Sequence, residues 1–130
     1  MKRDKGIYRL LMAFVYSFAG FKAAWRNEAA FRQESIATIF IIPVGLWLGE
    51  TWFQRALLIG IWLIVIITEL TNSAIEAIVD RIGPEYNELS GRAKDLGSAA
   101  VFVSLLACAV VWGFIAFDNI VSRWTGSFFV

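Results

Sequence analysis

Three long apolar runs without a charged residue constrain the fold of this chain more than any other feature. They occupy residues 35–49, 56–68 and 96–117. A helix of about 20 apolar residues crosses the hydrocarbon core of a bilayer. A chain of 130 residues, 58% of them hydrophobic, cannot bury so many apolar side chains in one aqueous core. The sequence therefore predicts an all-α integral membrane protein, folded as one domain over residues 1–130.

The polar residues between these runs set the limits of three transmembrane helices. Thr51 and Gln54 have the spacing of a capping box at the start of the second. Gly83 and Pro84 are expected to end the same helix, and Ser90 is expected to cap the third. The predicted spans cover about 29–49, 52–82 and 91–118.

The N-terminal segment, at about residues 7–24, has the pattern of an amphipathic helix that lies on the membrane surface. Arg9 and Tyr16 fall on the side opposite the apolar residues, which suits an interfacial position. A signal peptide is the alternative, because basic residues precede an apolar run, but the clean division into two faces disfavours it. Asn27 is expected to cap the helix that follows. The apolar face consists of Ile7, Leu10, Leu11, Phe14, Val15, Phe18 and Phe21.

The distribution of basic residues predicts the topology. Lysines and arginines are concentrated before residue 33 and again in residues 81–94, whereas the first loop contains only Arg55 and the C-terminal tail only Arg123. By the positive-inside rule, the N-terminus is cytoplasmic and the C-terminus lies on the other side. The net charge of +1 argues against a nucleic-acid partner, since neutralising phosphates needs a basic surface.

A polar stripe on the second span is the main candidate for a functional site. At about 100° per residue, its members fall within roughly 100° of one another on the helix. Polar groups on an apolar membrane helix are costly, so they usually mark a site of chemistry or transport. Counting about 20 residues from Trp52 places the inner boundary of the membrane near residue 72. The stripe consists of Glu69, Asn72, Ser73, Glu76 and Asp80.

Counting residues in the same way along the other spans places Glu28, Lys94 and Asp95 at the same depth in the membrane as the polar stripe. Two carboxylates seven residues apart can hold a hard divalent ion together with water and phosphate oxygens, and Lys94 is a candidate phosphate contact. The chain contains no histidine, so a general base must be a carboxylate, a lysine, a tyrosine or water. Glu69 lies at the edge of the hydrocarbon, where it could take a proton from a lipid hydroxyl. These are the components of phosphoryl transfer.

Other interpretations remain open at this point. Glu76 and Asp80 could be solvated where the helix leaves the membrane, and Lys94 with Asp95 could be a snorkelling pair. Glu69 with Asn72 could serve helix packing, and a small carrier would also need a membrane carboxylate. No P-loop is present, because the segment from Gly91 to Lys94 lacks its spacing.

The sequence closely resembles the prokaryotic diacylglycerol kinases. The resemblance rests on the motifs ExxNSAIEAxVDR at residues 69–81, EYxELSGRAKDxGSAA at 85–100 and AAWxNEAAFRQE at 23–34. It extends from about Arg9 to about Phe117, and its motifs are highly specific. This family has no P-loop, which agrees with the absence of that motif here.

The resemblance implies a homotrimer in the bacterial inner membrane, with an N-terminal surface helix, three spans per subunit and sites between subunits. The C-terminus would then be periplasmic. It implies transfer of the γ-phosphoryl group of MgATP to diacylglycerol, giving phosphatidate. Glu69 would be the general base, Glu28 and Glu76 would bind Mg²⁺, and Asn72 and Asp80 would support the site.

The same resemblance implies two sets of binding residues. The nucleotide would contact Arg9, Tyr16, Glu28, Glu76, Glu85, Tyr86, Asn87, Lys94 and Asp95. The lipid would contact Ser17, Trp25, Phe31, Glu34, Trp47, Arg55, Glu69, Ser98 and Trp112.

Some residues depart from the family pattern. Met12, Phe14 and Ala19 replace basic or small residues, and Asn87 stands where a histidine is familiar beside the nucleotide. These changes affect the expected nucleotide contacts but not the carboxylate core. The related undecaprenol kinases share the pattern of residues 69–80, whereas the loop at 85–91 favours the diacylglycerol branch.

Overall fold

The computed structural model describes residues 4–126, and this part of the chain is entirely helical. Each of the four helices is long and apolar enough to cross a membrane. The prediction of an all-α membrane protein is therefore confirmed. The first helix satisfies the same criterion of length and composition as the other three, between Gly6 and Asn27. The helices are α1 (Asp4–Asn27), α2 (Ala29–Leu48), α3 (Trp52–Ile82) and α4 (Glu88–Gly126).

Helix α3 is the centre of the bundle, with α4 packed along it and α2 against another side. Leu58 and Val65 of α3 are completely buried, and Trp62 is nearly so. Polar contacts connect the helices at two heights. Trp62 Nε1 donates a hydrogen bond to Thr38 Oγ1 of α2 (2.8 Å), and Thr68 Oγ1 lies 2.8 Å from Ser104 Oγ of α4. Hydrogen bonds of this kind fix the rotation of one helix against another in an apolar environment.

The ends of α3 agree with the sequence prediction. Thr51 Oγ1 accepts a hydrogen bond from Gln54 N (3.1 Å), and the Gln54 side chain reaches back to accept one from Glu50 N (2.8 Å). At the other end, Gly83 has a φ of 134°, which side-chain-bearing residues rarely adopt. The helix therefore ends at Ile82.

The predicted caps of the other two spans were wrong. Helix α4 begins before Ser90, and Asn87 caps it by accepting hydrogen bonds from the backbone N–H groups of Leu89 (2.9 Å) and Ser90 (3.2 Å). An asparagine three residues earlier offers a stronger cap than a serine inside the first turn. The Asn27 side chain donates backwards to Ala23 O (2.9 Å) and so does not cap α2.

A distal polar cluster joins the turn between α2 and α3 to the end of α4. We define it as Gln54, Asn119 and the carbonyl of Leu48. Asn119 is 2% exposed, and its Nδ2 donates to Leu48 O (2.8 Å) and to Gln54 Oε1 (2.9 Å). Gln54 Nε2 in turn donates to Asn119 Oδ1 (3.2 Å). Three helix ends are thereby held together on the side of the bundle opposite Glu28.

Candidate active site between α1 and α3

A groove of about 620 Å³ separates α1 from the inner half of α3. We call it the α1–α3 groove. Its α1 wall follows one helical face, and its α3 wall follows the polar stripe predicted from the sequence. Most of the lining side chains are small, so they leave the space between the helices open. The lining consists of Ser17, Gly20, Phe21, Ala23, Ala24, Asn27, Glu28, Leu70, Ser73, Ala74, Glu76, Ala77 and Asp80.

Glu28 lies at the break between α1 and α2, in an extended conformation (φ −110°, ψ 114°). The break is held by Arg32, whose Nη1 donates hydrogen bonds to the carbonyls of Trp25 (2.9 Å) and Arg26 (3.3 Å). These carbonyls belong to the last turn of α1, where no further helical N–H groups follow to pair with them. Arg32 thus fixes the corner at which Glu28 enters the groove.

Glu69 is buried (5% exposed) on the inner half of α3. Its electrostatic neighbours are Glu28, Glu34 and Glu76. Ionised carboxylates that interact in this way repel one another, and a cation bound in the groove would reduce that repulsion. The sequence predicted Glu69 and Glu76 on one face of a helix, Glu28 at the same depth and Glu34 as a lipid contact. In the structure, Glu28, Glu34 and Glu76 are all electrostatic neighbours of Glu69.

Two side-chain contacts hold the C-terminal part of the polar stripe, between Asn72 and Asp80. Asn72 Nδ2 donates a hydrogen bond to Glu76 Oε1 (3.0 Å), one helical turn away. Lys94 Nζ of α4 forms an ion pair with Asp80 Oδ1 of α3. Both partners of this pair are partly exposed, so Lys94 can exchange Asp80 for another anion at little cost.

Three buried polar atoms close to these groups have no hydrogen-bond partner among the described residues. They are Glu34 Oε2, Asn72 Oδ1 and Ser73 Oγ. Buried polar atoms are nearly always paired in folded proteins. Asn72 and Ser73 belong to the polar stripe of α3, and Glu34 interacts electrostatically with Glu69. The three atoms are therefore candidates for contacts with a substrate.

The structure gathers part of the predicted nucleotide set around the groove. Glu28 and Glu76 line the groove, and Lys94 lies at its rim, where it pairs with the lining residue Asp80. Tyr86 is 91% exposed in the loop before α4, next to Glu85 and the cap residue Asn87. The remaining members of the set, Arg9, Tyr16 and Asp95, are exposed and make no contact with the groove.

The predicted lipid residues divide into two groups. The inner group consists of Ser17 and Glu69 with Trp25, Phe31 and Glu34, and Phe31 stacks on Phe21 at a centroid distance of 6.3 Å.

The outer group lies about 16 Å or more along the helices from Glu69. Arg55 stacks on Trp52 and donates to Gly49 O (2.9 Å), while Trp112 Nε1 donates to Leu58 O (3.2 Å). Trp47 is exposed beneath the guanidinium of Arg123. Ser98 is exposed on α4 and belongs to neither group.

Sequence reasoning missed the small residues that shape the site. Gly20 and Ala24 on α1, and Ala74 and Ala77 on α3, recur at spacings of three or four residues and line the groove. That spacing was a usable signal, because small residues on one helical face mark close approach or open space. Gly97 of α4 is buried against Asn72. This agrees with the close approach of helices that the small residues at 97–100 predict, although the partner residue was not predicted.

Comparison with known proteins identifies the family. A family model described as prokaryotic diacylglycerol kinase matches residues 15–116. A diacylglycerol kinase of Escherichia coli (strain K12) is 50% identical over 107 residues, which cover 82% of this chain and 88% of that protein.

Two further relatives show the same agreement. A diacylglycerol kinase of Haemophilus influenzae is 47% identical over 117 residues, covering 90% of this chain and 99% of the relative. One of Pseudomonas aeruginosa is 50% identical over 111 residues, covering 85% and 90%. A family model that covers most of the chain and relatives at this identity are decisive: the chain belongs to the prokaryotic diacylglycerol kinase family.

Proposed function

We propose that this protein phosphorylates diacylglycerol with MgATP in the α1–α3 groove, at the cytoplasmic edge of the membrane. The single observation that carries the proposal is the arrangement of carboxylates along α3. Glu76 opens into a groove at the polar end of the helix, whereas Glu69 is buried two turns deeper. This geometry suits a reaction between a soluble donor and an acceptor that stays in the bilayer. The names of the relatives, diacylglycerol kinases, supply the substrate class.

The acceptor side of the site is apolar except for its carboxylates. Glu69 is buried on α3, and the buried Glu34 Oε2 of α2 has no partner among the described residues. A lipid hydroxyl is a hydrogen-bond donor that can approach from the bilayer and satisfy such an oxygen. We therefore assign Glu69 as the general base and Glu34 as a contact for the lipid head.

The donor side fits Mg²⁺ in its chemistry. Glu28 and Glu76 line the same groove and offer the oxygen ligands that this ion prefers. Among residues 4–126 no three acidic side chains form a metal cluster by themselves, so water and phosphate oxygens would complete the coordination. When bound, Mg²⁺ would neutralise charge on the phosphate oxygens during transfer. Lys94 is placed at the rim to contact a phosphate group.

In the proposed reaction, the lipid hydroxyl oxygen attacks the γ-phosphorus of ATP. The bond between this phosphorus and the oxygen that bridges it to the β-phosphorus breaks, and ADP leaves with the electron pair. Glu69 accepts the hydroxyl proton as the new oxygen–phosphorus bond forms. Atoms and charge balance without a covalent enzyme intermediate. Burial keeps Glu69 away from bulk water and close to the acceptor.

The position in the membrane follows from charge. We infer that α1 lies on the cytoplasmic surface of the bacterial inner membrane, that α2, α3 and α4 cross it, and that the C-terminus is periplasmic. The basic residues before residue 33 and between 81 and 94 support this orientation. We also propose a homotrimer with sites completed by neighbouring subunits, because one chain provides only two walls for the groove.

The test is a panel of lipid alcohols. Purified protein in mixed micelles, given MgATP, is expected to phosphorylate diacylglycerol far faster than undecaprenol. The reverse order would identify an undecaprenol kinase instead. Absence of ATP turnover with every lipid would favour a non-enzymatic membrane carrier and contradict the proposal.

A further inference from the structure

Gly97 of α4 packs directly against the Asn72 carboxamide of α3, near the α1–α3 groove. A Cβ atom at position 97 would overlap with Asn72 Oδ1 and would lie 3.3 Å from Asn72 Cγ. Gly97 is buried, and Asn72 Oδ1 is one of the buried oxygens that lack a hydrogen-bond partner. The oxygen therefore rests against the bare Cα of Gly97, where only a weak C–H contact is available to it.

This contact determines which end of the Asn72 amide faces Glu76. With Oδ1 seated against Gly97, Nδ2 points along α3 and donates its hydrogen bond to Glu76 Oε1. The opposite orientation would place the amide oxygen against a carboxylate, with no donor between them. A shifted Asn72 would leave Glu76 free to change its rotamer within the groove.

We propose that Gly97 is a positioning residue that, through Asn72, sets the orientation of the Glu76 carboxylate. Gly97 touches neither substrate in this proposal, and its effect is transmitted over one contact and one hydrogen bond. The role of Glu76 rests on the proposed function, whereas the coupling between Gly97 and Asn72 can be tested without it. Any residue other than glycine is expected to displace Asn72, because the added atom has no free space.

The first experiment replaces Gly97 by alanine and uses Gly113→Ala as the matched control. Gly113 lies on the same helix, and a Cβ there meets nothing within 4 Å. We expect Gly97→Ala to weaken binding of the magnesium complex of a non-hydrolysable ATP analogue about tenfold, because one charge-assisted hydrogen bond is lost. The KM for MgATP should rise similarly while the KM for diacylglycerol is unchanged. The control should match the wild type.

A merely structural role for Gly97 predicts a different pattern. Loss of helix packing would lower the folded fraction and change both KM values, and the change in the KM for MgATP would be no larger than the change in the KM for diacylglycerol. Equal effects on both substrates, or a Gly97→Ala variant that behaves as Gly113→Ala does, would overturn the proposal.

The second experiment tests the coupling and covers the case in which Gly97→Ala does not fold. Asn72→Ala removes the atoms that the new Cβ would strike, so Gly97→Ala should destabilise the protein in the Asn72 background and much less in the Asn72→Ala background. Thermal unfolding in detergent measures both differences. An equal shift of the melting temperature in the two backgrounds would refute the contact. If the wild type binds no ATP analogue, the proposed function fails, yet this cycle still decides the inference about Gly97.

Discussion

At the scale of single residues, Glu69 and Glu76 show how one helix can present one carboxylate at its apolar part and another at its polar end. They are seven residues apart, which corresponds to about 10 Å along the helix axis. Glu69 is buried at 5% exposure, and Glu76 lines an open groove. A carboxylate at the apolar end can accept a proton from a lipid alcohol, whereas one at the polar end can bind the charged donor. The difference in burial is the reason for the two roles that we propose.

Lys94 provides a prediction at this scale. Its ammonium group is held by Asp80 at the rim of the groove, and a charge-assisted contact to phosphate replaces that pair in the proposed complex. Lys94→Gln is therefore expected to raise the KM for MgATP by about tenfold or more, with the KM for diacylglycerol unchanged. Steady-state kinetics with each substrate varied in turn measure both constants.

The control for this experiment is Arg123→Gln. Arg123 also pairs with a carboxylate, Glu50, but at the opposite end of the bundle. Its removal should leave both KM values unaltered. A Lys94→Gln variant with the nucleotide KM of the wild type would exclude the phosphate contact.

At the scale of helices, their ends set the geometry of the site. Arg32 holds the corner between α1 and α2, and Asn87 begins α4 just before Lys94 and Gly97. The asparagine that departs from the family pattern at position 87 therefore has a structural role in this chain, as the N-cap of α4. Asparagine is among the best N-cap residues, so its side chain fixes the first turn of the helix that carries Lys94.

Asn87→Ala should consequently lower the free energy of unfolding by about 1 kcal/mol. Asn87→Asp should preserve stability, since aspartate caps equally well and its charge is favourable at a helix N-terminus. Denaturant unfolding in detergent, followed by circular dichroism, distinguishes them. Equal losses in the two variants would show that capping is not what Asn87 contributes.

The distal polar cluster gives a second prediction about helix ends. Asn119 is almost fully buried and holds Leu48 O and the Gln54 side chain, so Asn119→Ala leaves several polar groups unpaired at once. The expected loss is about 2 kcal/mol of unfolding free energy. Ser122→Ala is the matched control, because within residues 4–126 Ser122 Oγ bonds only to the backbone of its own helix. Comparable losses in both variants would contradict a role for the cluster.

At the scale of the whole molecule, much of the fold was predictable because each helix has its own apolar run, and α3 also has its own start and stop signals. The all-α membrane fold, the capping of α3 by Thr51 and the end of α3 at Gly83 followed directly from the sequence.

Contacts between helices were not predictable in the same way. The meeting of Gly97 with Asn72 and the burial of Asn119 depend on how α4 is rotated against its neighbours, and no local pattern encodes that rotation. The tail after Asp118 carried little signal, although it contributes Asn119. The groove itself depends on the angle between α1 and α3, for which only the small residues gave a hint.

The position of α1 is open to a direct test. Single cysteines at Gly6, Glu50 and Glu85, each in a Cys108→Ala background, can be labelled with a membrane-impermeant maleimide. If α1 lies on the cytoplasmic surface, Gly6→Cys and Glu85→Cys react only in inverted vesicles, and Glu50→Cys reacts only in spheroplasts. Labelling of Gly6→Cys from the side of Glu50→Cys would show that α1 crosses the membrane, which its length and composition permit.

The central claim is that Glu69 removes the proton from the lipid hydroxyl during phosphoryl transfer. Transfer of labelled γ-phosphate from MgATP to diacylglycerol should be measured for the wild type, Glu69→Gln and Glu50→Gln, with binding of a non-hydrolysable ATP analogue as the test of folding. Glu69→Gln should still bind the nucleotide but transfer phosphate about 10²–10⁴ times more slowly, and Glu50→Gln should match the wild type. A Glu69→Gln protein that transfers phosphate as fast as Glu50→Gln would contradict the assignment of the general base.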